Sequence, residues 1–241
     1  MAAVPLRLYL INMNMKKYDA FLFDADNTLY DFNKASAAAL EFMFAENKLD
    51  FSDNIPADFF DAGLPFWAAL ERGELSYDQV QIQRFNGLFE TIGAKLDAAA
   101  FDARYQYELG KSAVLIDGAL EICRGIMSNN KHIFIITNGF LACHTARAKY
   151  SAIHPYISDS FISEVIGFSK PAKGFFDHVL ANIPFTKEKI LIVGDSLSAD
   201  IAGGNMAGID TCWFNLHGID NNTGTTPTYE IRKLFELEKF I

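Results

Sequence analysis

The sequence predicts a three-layer α/β fold, in which a mostly parallel β-sheet carries helices on both faces and a helical segment is inserted near its start. Two observations lead to this prediction. Short apolar runs alternate with segments of helical periodicity over the second half of the chain, which is typical of a parallel sheet covered by helices. The region from about residue 32 to residue 112 has no clear strand and shows amphipathic helical patterns instead.

The composition is that of an ordinary globular protein. The 241 residues are 50% hydrophobic, which is enough for a core and a smaller second domain. The net charge of −9 argues against sequence-independent nucleic-acid binding, which needs a basic surface. No apolar run is long enough to cross a membrane. Three widely spaced cysteines favour a reducing compartment, so we expect a cytoplasmic protein with no membrane partner; monomer and homodimer both stay open.

The domain organisation follows from where the alternating pattern is interrupted. Residues 1–15 are interpreted as an N-terminal extension ahead of the first strand. Residues 16–31 and 113–241 are assigned to the α/β core, and residues 32–112 to an inserted helical bundle. An insert that leaves and rejoins the core beside the candidate site is well placed to act as a lid. The centres of its predicted helices are Ala35 to Phe44, Phe59 to Leu70, Tyr77 to Phe89 and Phe101 to Leu109.

The first strand carries the most informative pattern. Ala20 to Phe23 is a continuous apolar run and is followed by Asp24-Ala25-Asp26. In open parallel sheets the carboxyl ends of the strands are where ligands bind. Two carboxylates so close repel each other unless a cation lies between them or one of them is protonated. The pair therefore predicts either a site for a divalent cation or, in isolation, a polar turn.

The remaining strands are predicted from similar apolar runs. His132 to Ile136 precedes Thr137-Asn138, and Ile190 to Val193 precedes Gly194-Asp195. A weaker strand combines Phe161-Ile162 with Val165-Ile166, and Asp210 to Phe214 forms another. The intervening helices are predicted after Gly118, after Gly174, and from Ser198 to Met206 with Ser-Ala-Asp as its cap. A polar loop over 220–226 precedes a final short strand and helix.

The strand ends together supply an unusual set of side chains. Adjacent parallel strands lie about 4.8 Å apart, so side chains at their carboxyl ends can meet on one small ligand. The set holds a carboxylate pair, a hydroxyl at Thr137, an ammonium at Lys170, and further carboxylates at Asp195 and Asp200. A cation and a lysine reduce the repulsion between a phosphate ester and an anionic nucleophile. The set therefore favours phosphoryl transfer over most other reactions.

These motifs resemble, in order and spacing, the four motifs of the haloacid dehalogenase (HAD) superfamily. The matching segments are Asp24-Ala25-Asp26-Asn27-Thr28, Thr137-Asn138, Lys170-Pro171 and Gly194-Asp195-Ser196 with Asp200. The resemblance implies a Rossmann-like core, and the helical insert resembles the superfamily's C1-type cap. Asp26 argues against dehalogenation, because displacement of halide needs no proton donor.

The resemblance also implies a role for each residue. Asp24 is expected to be the nucleophile that forms an aspartyl-phosphate, and Asp26 the acid and base. Thr137 is expected to bind the phosphoryl group, with Asn27 and Asn138 nearby, while Lys170 offsets negative charge. Mg²⁺ is the implied cofactor, with the expected ligands Asp24, the Asp26 backbone carbonyl and Asp195, and with Asp200 beside it.

Further segments are similar to the pyrimidine 5′-nucleotidases of this superfamily. They include Phe66-Trp67, Arg84-Phe85 and Gly208 to Asn215, whereas Phe168-Ser169 departs from the pattern. The resemblance implies a small phosphate ester as substrate, namely a nucleoside monophosphate such as dUMP, UMP or dTMP. Trp67 is a candidate to stack on the base and Arg84 to contact substrate. The alternatives are a sugar-phosphate phosphatase or phosphomutase, and a phosphate-binding module without turnover.

Overall fold

The computed structural model describes residues 16–241, so the predicted extension over residues 1–15 lies outside the described residues. A six-stranded parallel sheet has the strand order β3-β2-β1-β4-β5-β6. This arrangement confirms the predicted α/β class. The strands are β1 (Ala20–Phe23), β2 (His132–Thr137), β3 (Asp159–Ile162), β4 (Ile190–Gly194), β5 (Asp210–Phe214) and β6 (Tyr229–Ile231).

Strand β1 lies in the middle of the sheet and is buried on both faces. Phe21 and Phe23 belong to the apolar cluster on one face, and Ala20 and Leu22 to the cluster on the other. Two buried faces require apolar residues at every position of the strand, which explains a continuous rather than alternating pattern.

Helices cover the sheet and form the insert. Those of the insert are α1 (Phe32–Glu46), α2 (Ile55–Glu71), α3 (Tyr77–Ile92) and α4 (Ala98–Ser112). Those of the core are α5 (Ala119–Ser128), α6 (Leu141–Tyr150), α7 (Ser163–Ile166), α8 (Lys173–Asn182) and α9 (Ala202–Ala207), with a 3₁₀ helix over Leu234–Phe240. In the described part of the chain, no helix is both long and apolar enough to span a membrane.

Two details of the sequence-based prediction are wrong. Val165 and Ile166 do not extend the third strand but belong to the single helical turn α7, where Val165 is largely exposed. Gly167, with φ of +82°, ends that turn. Before α9 the chain forms a π-helical turn over Leu197–Ile201, and its cap is Ser196, whose hydroxyl accepts a hydrogen bond from the Ala199 N–H. The predicted cap at Ser198 is therefore two residues too late.

The insert has an apolar core of its own, and a close helix pair is one of its contacts with the α/β core. Phe59, Phe85 and Tyr105 pack together inside it. Helix α4 lies against α6 at Gly110, where a Cβ atom would be 2.3 Å from the Cys143 carbonyl oxygen. Only glycine permits the two helices to approach this closely. The insert thus contacts the helix that follows β2.

Candidate active site

The carboxyl ends of β1, β2 and β4 bring the predicted residues together. Phe23 lies opposite Ile135 of β2 and Val193 of β4, and the Asp24 N–H donates to the Val193 carbonyl at 2.8 Å. Strands β2 and β3 lie on one side of β1, and β4, β5 and β6 lie on the other. The direction in which successive strands are added therefore reverses at β1. Open α/β sheets bind ligands at such a reversal.

Lys170 lies at the centre of a buried charge cluster. Its Nζ donates to Asp24 Oδ1 and to Asp200 Oδ1, both at 2.6 Å, and to the Ile136 carbonyl at 2.8 Å. An ammonium has three donors, so all of them are used within the protein. Lys170 therefore fixes one oxygen of Asp24 and leaves the other for a reaction partner. Burial opposes the charge on Lys170, but the two carboxylates outweigh it and raise its pKa.

Asp24, Asp195 and Asp200 form an acidic cluster beside this lysine. Each offers an oxygen, and these oxygens lie within 4.8 Å of one another. Burial raises the pKa of Asp24, and the neighbouring carboxylates add to the effect against the opposing charge of Lys170. Burial, followed by the charge of Asp200, raises the pKa of Asp195 to about 7. Lys170 alone does not balance the negative charge of these three carboxylates. Mg²⁺ prefers hard oxygen donors such as theirs, so the residues fit the implied metal.

Asp200 is held by the backbone that surrounds it. Its Oδ2 accepts a hydrogen bond from the Ser196 N–H at 3.1 Å while Oδ1 binds Lys170. A Cβ atom at residue 194 would lie 2.2 Å from Asp200 Oδ2, so Gly194 is needed where β4 ends. Since both carboxylate oxygens are engaged, Asp200 anchors Lys170 in this arrangement.

Asp26 points to a different partner. Nη2 of Arg147, on α6, donates to its Oδ1, and the guanidinium lies over the Tyr30 ring at 4.3 Å from the centroid. Burial raises the pKa of Asp26, but the charge and hydrogen bond of Arg147 outweigh burial and lower it overall. Asp26 is therefore held as a carboxylate, which can accept a proton.

Thr137 is oriented by its own loop and by α6. Its Oγ1 accepts a hydrogen bond from the Gly139 N–H at 2.9 Å and lies 3.1 Å from His144 Nε2. Burial, together with the positive charge of Arg147, lowers the pKa of His144 to about 3. A neutral imidazole can thus accept from, or donate to, the Thr137 hydroxyl over a wide pH range.

The two asparagines occupy different roles in the loops. Asn27 has a φ of +61° and its N–H donates to the Tyr30 carbonyl, which closes the turn after Asp26. The Asn138 amide donates to the Lys170 carbonyl at 2.9 Å and accepts from the Lys170 N–H at 2.8 Å. The side chain of Asn138 therefore joins the β2 loop to the loop that carries Lys170.

One cavity of about 330 Å³ connects the strand ends to the insert. All ten residues predicted for the site line it, with Trp67 and Arg84 on the insert side. These ten are Asp24, Asp26, Asn27, Trp67, Arg84, Thr137, Asn138, Lys170, Asp195 and Asp200. Trp67 packs on Phe140 with 5.4 Å between ring centroids, while Arg84 is buried and pairs with Asp102.

The sequence-based reasoning missed His144, Arg147, Asp102 and Gln106. A signal existed for the first two, because they follow Thr137 by seven and ten residues and lie on one face of a helix that starts at the ligand-binding edge. No comparable signal existed for the other two. Asp102 matters because it accepts hydrogen bonds from Arg84, on another helix, and from Gln106, on its own helix.

Comparison with known proteins agrees with this geometry. A family model described as haloacid dehalogenase-like hydrolase matches residues 18–208. The chain belongs to the haloacid dehalogenase-like hydrolases. It is therefore an enzyme of the HAD superfamily, and the resemblance drawn from the four motifs is confirmed.

Several relatives extend this placement. Pyrimidine 5′-nucleotidase PynA of Streptococcus pneumoniae is 35% identical over 89% of this chain and 91% of its own. Pyrimidine 5′-nucleotidase YjjG of Escherichia coli is 33% identical over 93% and 98%. The crystal structure of the putative HAD-hydrolase YfnB of Bacillus subtilis, bound to magnesium, superposes with a TM-score of 0.85 at 38% identity, covering 92% of this chain and 97% of that one.

Proposed function

We propose that this HAD hydrolase is a magnesium-dependent phosphomonoesterase that acts on pyrimidine nucleoside 5′-monophosphates through an aspartyl-phosphate. The observation that carries the proposal is the convergence of Asp24, Asp26, Thr137 and Lys170 on one cavity that continues into the apolar insert. A reaction centre and a space for the leaving group are thus parts of the same cavity.

The first half-reaction transfers the phosphoryl group to Asp24. The carboxylate oxygen that Lys170 does not bind attacks phosphorus, and the bond from phosphorus to the ester oxygen breaks. A proton from the carboxyl form of Asp26 goes to that ester oxygen, which leaves as an alcohol. Thr137, whose hydroxyl is oriented by Gly139 and His144, is placed to hydrogen-bond the transferring group.

The second half-reaction returns the enzyme to its starting state. Water attacks phosphorus of the aspartyl-phosphate, Asp26 takes the proton of that water, and the bond between phosphorus and the Asp24 oxygen breaks to release inorganic phosphate. Once Asp26 has given its proton to the leaving group, the contact from Arg147 stabilises the carboxylate, which is the form that acts as the base in this step.

The metal is supported by the donor set. Asp24 and Asp195 would hold Mg²⁺, with Asp200 beside them in the same acidic cluster, and the bound ion would supply charge neutralisation for an anionic substrate. The pyrimidine nucleotide is supported by two relatives whose names state that activity, and by aromatic side chains, Trp67 and Phe140, in the cavity wall.

The decisive experiment measures phosphate release from p-nitrophenyl phosphate and from a panel of nucleoside monophosphates and sugar phosphates, with and without Mg²⁺. We expect release only with Mg²⁺, and the highest kcat/KM with pyrimidine nucleotides. Faster turnover of sugar phosphates would refute the nucleotidase assignment, and transfer of phosphate within a sugar phosphate would indicate a mutase. No release from any ester, with phosphate binding retained, would indicate a binding module.

A further inference from the structure

The insert side of the cavity contains a buried polar cluster that the reaction does not use. Arg84 on α3 and Gln106 on α4 are 2% and 1% exposed, and both line the cavity. Oδ1 of Asp102 accepts a hydrogen bond from Arg84 Nη2 and another from Gln106 Nε2, the latter at 3.0 Å. One carboxylate thus fixes both side chains.

Each of these side chains keeps one polar atom without a partner. Among residues 16–241, neither Arg84 Nε nor Gln106 Oε1 makes a hydrogen bond. The assignment of the glutamine oxygen is firm, because a carboxylate only accepts and the amide nitrogen must therefore face Asp102. Buried polar atoms are nearly always paired in folded proteins. Both side chains line the cavity, so a ligand that inserts between them is the available partner for the unpaired donor and the unpaired acceptor.

The surroundings restrict the shape of that ligand. Helix α2 presents Phe60, Leu64 and Trp67 to the cavity at spacings of four and three residues, which lie on one helix face. Phe60 and Leu64 are nearly half exposed. On the other side, the Phe140 ring lies 5.0 Å from the guanidinium carbon of Arg84. This end of the cavity is therefore lined mainly by apolar side chains, which suit a ligand with apolar faces better than a sugar phosphate, whose hydroxyls lie on every side.

We propose that Arg84 and Gln106, held by Asp102, recognise the edge of the nucleobase in the leaving nucleoside. Arg84 Nε donates to a ring carbonyl or ring nitrogen, and Gln106 Oε1 accepts from the neighbouring N–H. The ligand class is a planar heterocycle with a donor next to an acceptor, and the assignment rests on the proposed nucleotidase function. Asp102 is a positioning residue, since it touches the two recognising side chains and not the ligand.

The test compares esters that share the reacting phosphate but differ in the base. The quantity measured is kcat/KM for uridine 5′-monophosphate divided by that for ribose 5-phosphate. In Gln106→Met this ratio should fall roughly 10-fold, the usual effect of losing one such hydrogen bond. Ribose 5-phosphate carries no base, so dividing by its kcat/KM removes any effect of the variant on the shared phosphate chemistry. Gln83→Met, one residue from Arg84 but outside the cavity wall, is the matched control and should leave the ratio unchanged.

A second arm changes the substrate, so its first measurement uses the wild type alone. Uridine 5′-monophosphate methylated at N3 lacks the N–H that Gln106 accepts, so wild-type kcat/KM should fall roughly 10-fold for it. Gln106→Met should hydrolyse the methylated and unmethylated esters at nearly equal rates. If the variant discriminates between them as strongly as the wild type, the methyl group acts by size alone and the proposal is wrong.

The proposed nucleotidase function can fail independently of the proposed recognition of the base. If the wild type releases phosphate from none of these esters, the nucleotidase assignment fails by itself. Calorimetric binding of uridine 5′-monophosphate to the wild type and to Gln106→Met then tests the recognition site. Equal affinities, or no binding to either protein, would refute it, and weaker binding to the variant would support it.

Discussion

The two walls of the cavity are held in place in different ways. On the core side, reactive groups are tied to strand ends by the backbone: Asp24 through the Val193 carbonyl and Lys170 through the Ile136 carbonyl. On the insert side, Arg84 is held by side chains of other helices, chiefly Asp102. Under the proposed function, this difference means that the chemistry depends on the sheet, whereas recognition of the substrate depends on packing within the insert. Mutations should therefore separate the two.

The largest effect is expected at the core wall, from Asp24→Asn. Removal of the oxygen that we propose as the nucleophile should lower kcat by about 10⁴-fold or more. Burial and neighbouring carboxylates raise the pKa of Asp24, while its charge stabilises that of Lys170, so the substitution removes a buried repulsion and a buried attraction together. The melting temperature without divalent cations should therefore change little, which differential scanning calorimetry measures.

The control for this substitution is Asp177→Asn, which changes an exposed carboxylate on α8. It should leave turnover intact. Mg²⁺ should raise the melting temperature of the wild type more than that of Asp24→Asn, because a cation that binds the native state stabilises it. Measurable turnover by Asp24→Asn would contradict the assignment of the nucleophile.

The core wall was predictable from the sequence because its residues follow apolar strands. Asp24, Thr137 and Asp195 each come directly after a buried run, and parallel strands place such positions at one edge. The insert wall was not predictable to the same degree. Trp67 and Arg84 were expected at the site on resemblance alone, and Gln106 was not expected, because no local pattern reveals that its partner Asp102 also binds Arg84 from another helix.

A weaker test of the core wall is Arg147→Met. This guanidinium contacts Asp26, so its removal should lower kcat by roughly 100-fold through loss of orientation of the acid and base, with little change in KM. Stability should change less than for most buried charges, because Nε and Nη1 of Arg147 have no partner among residues 16–241. Steady-state kinetics and thermal unfolding measure both quantities.

Arg147→Lys separates charge from geometry. It keeps a cation near Asp26 and should recover part of the lost kcat, which a purely structural role of Arg147 would not produce. If Arg147→Met raises KM instead of lowering kcat, Arg147 acts on substrate binding and not by orienting Asp26.

Gly110→Ala tests the contact between α4 of the insert and α6 of the core. A Cβ atom there would lie 2.3 Å from the Cys143 carbonyl and 2.6 Å from Ala146 Cβ, so α4 must move away from α6. We expect a loss of about 2 kcal/mol in the free energy of unfolding, as for other overpacked interiors. Gly87→Ala on α3 is the control, since its Cβ would lie 3.4 Å from Ala62 Cβ and alanine favours helices. Equal denaturation midpoints for the two variants would contradict the tight contact.

The smallest expected effect is on the pH dependence of the free energy of unfolding, through His144 on α6. Burial and the charge of Arg147 lower the pKa of His144 to about 3, below the value near 6.5 of an unfolded chain. The unfolded state then binds more protons than the folded state below pH 6.5, so this histidine destabilises the fold progressively as the pH falls.

His144→Gln keeps a hydrogen-bonding group beside Thr137 and removes that dependence. Between pH 7.5 and 5 the wild type should lose about 1 kcal/mol more than the variant, roughly half the full linkage value because the ring is partly open to the cavity. Urea unfolding at the two pH values measures the difference, and a variant at exposed His178 should match the wild type. Should His144→Gln and the wild type lose the same stability, His144 takes up a proton as easily in the folded protein as in the unfolded chain, and the neutral imidazole beside Thr137 is wrong.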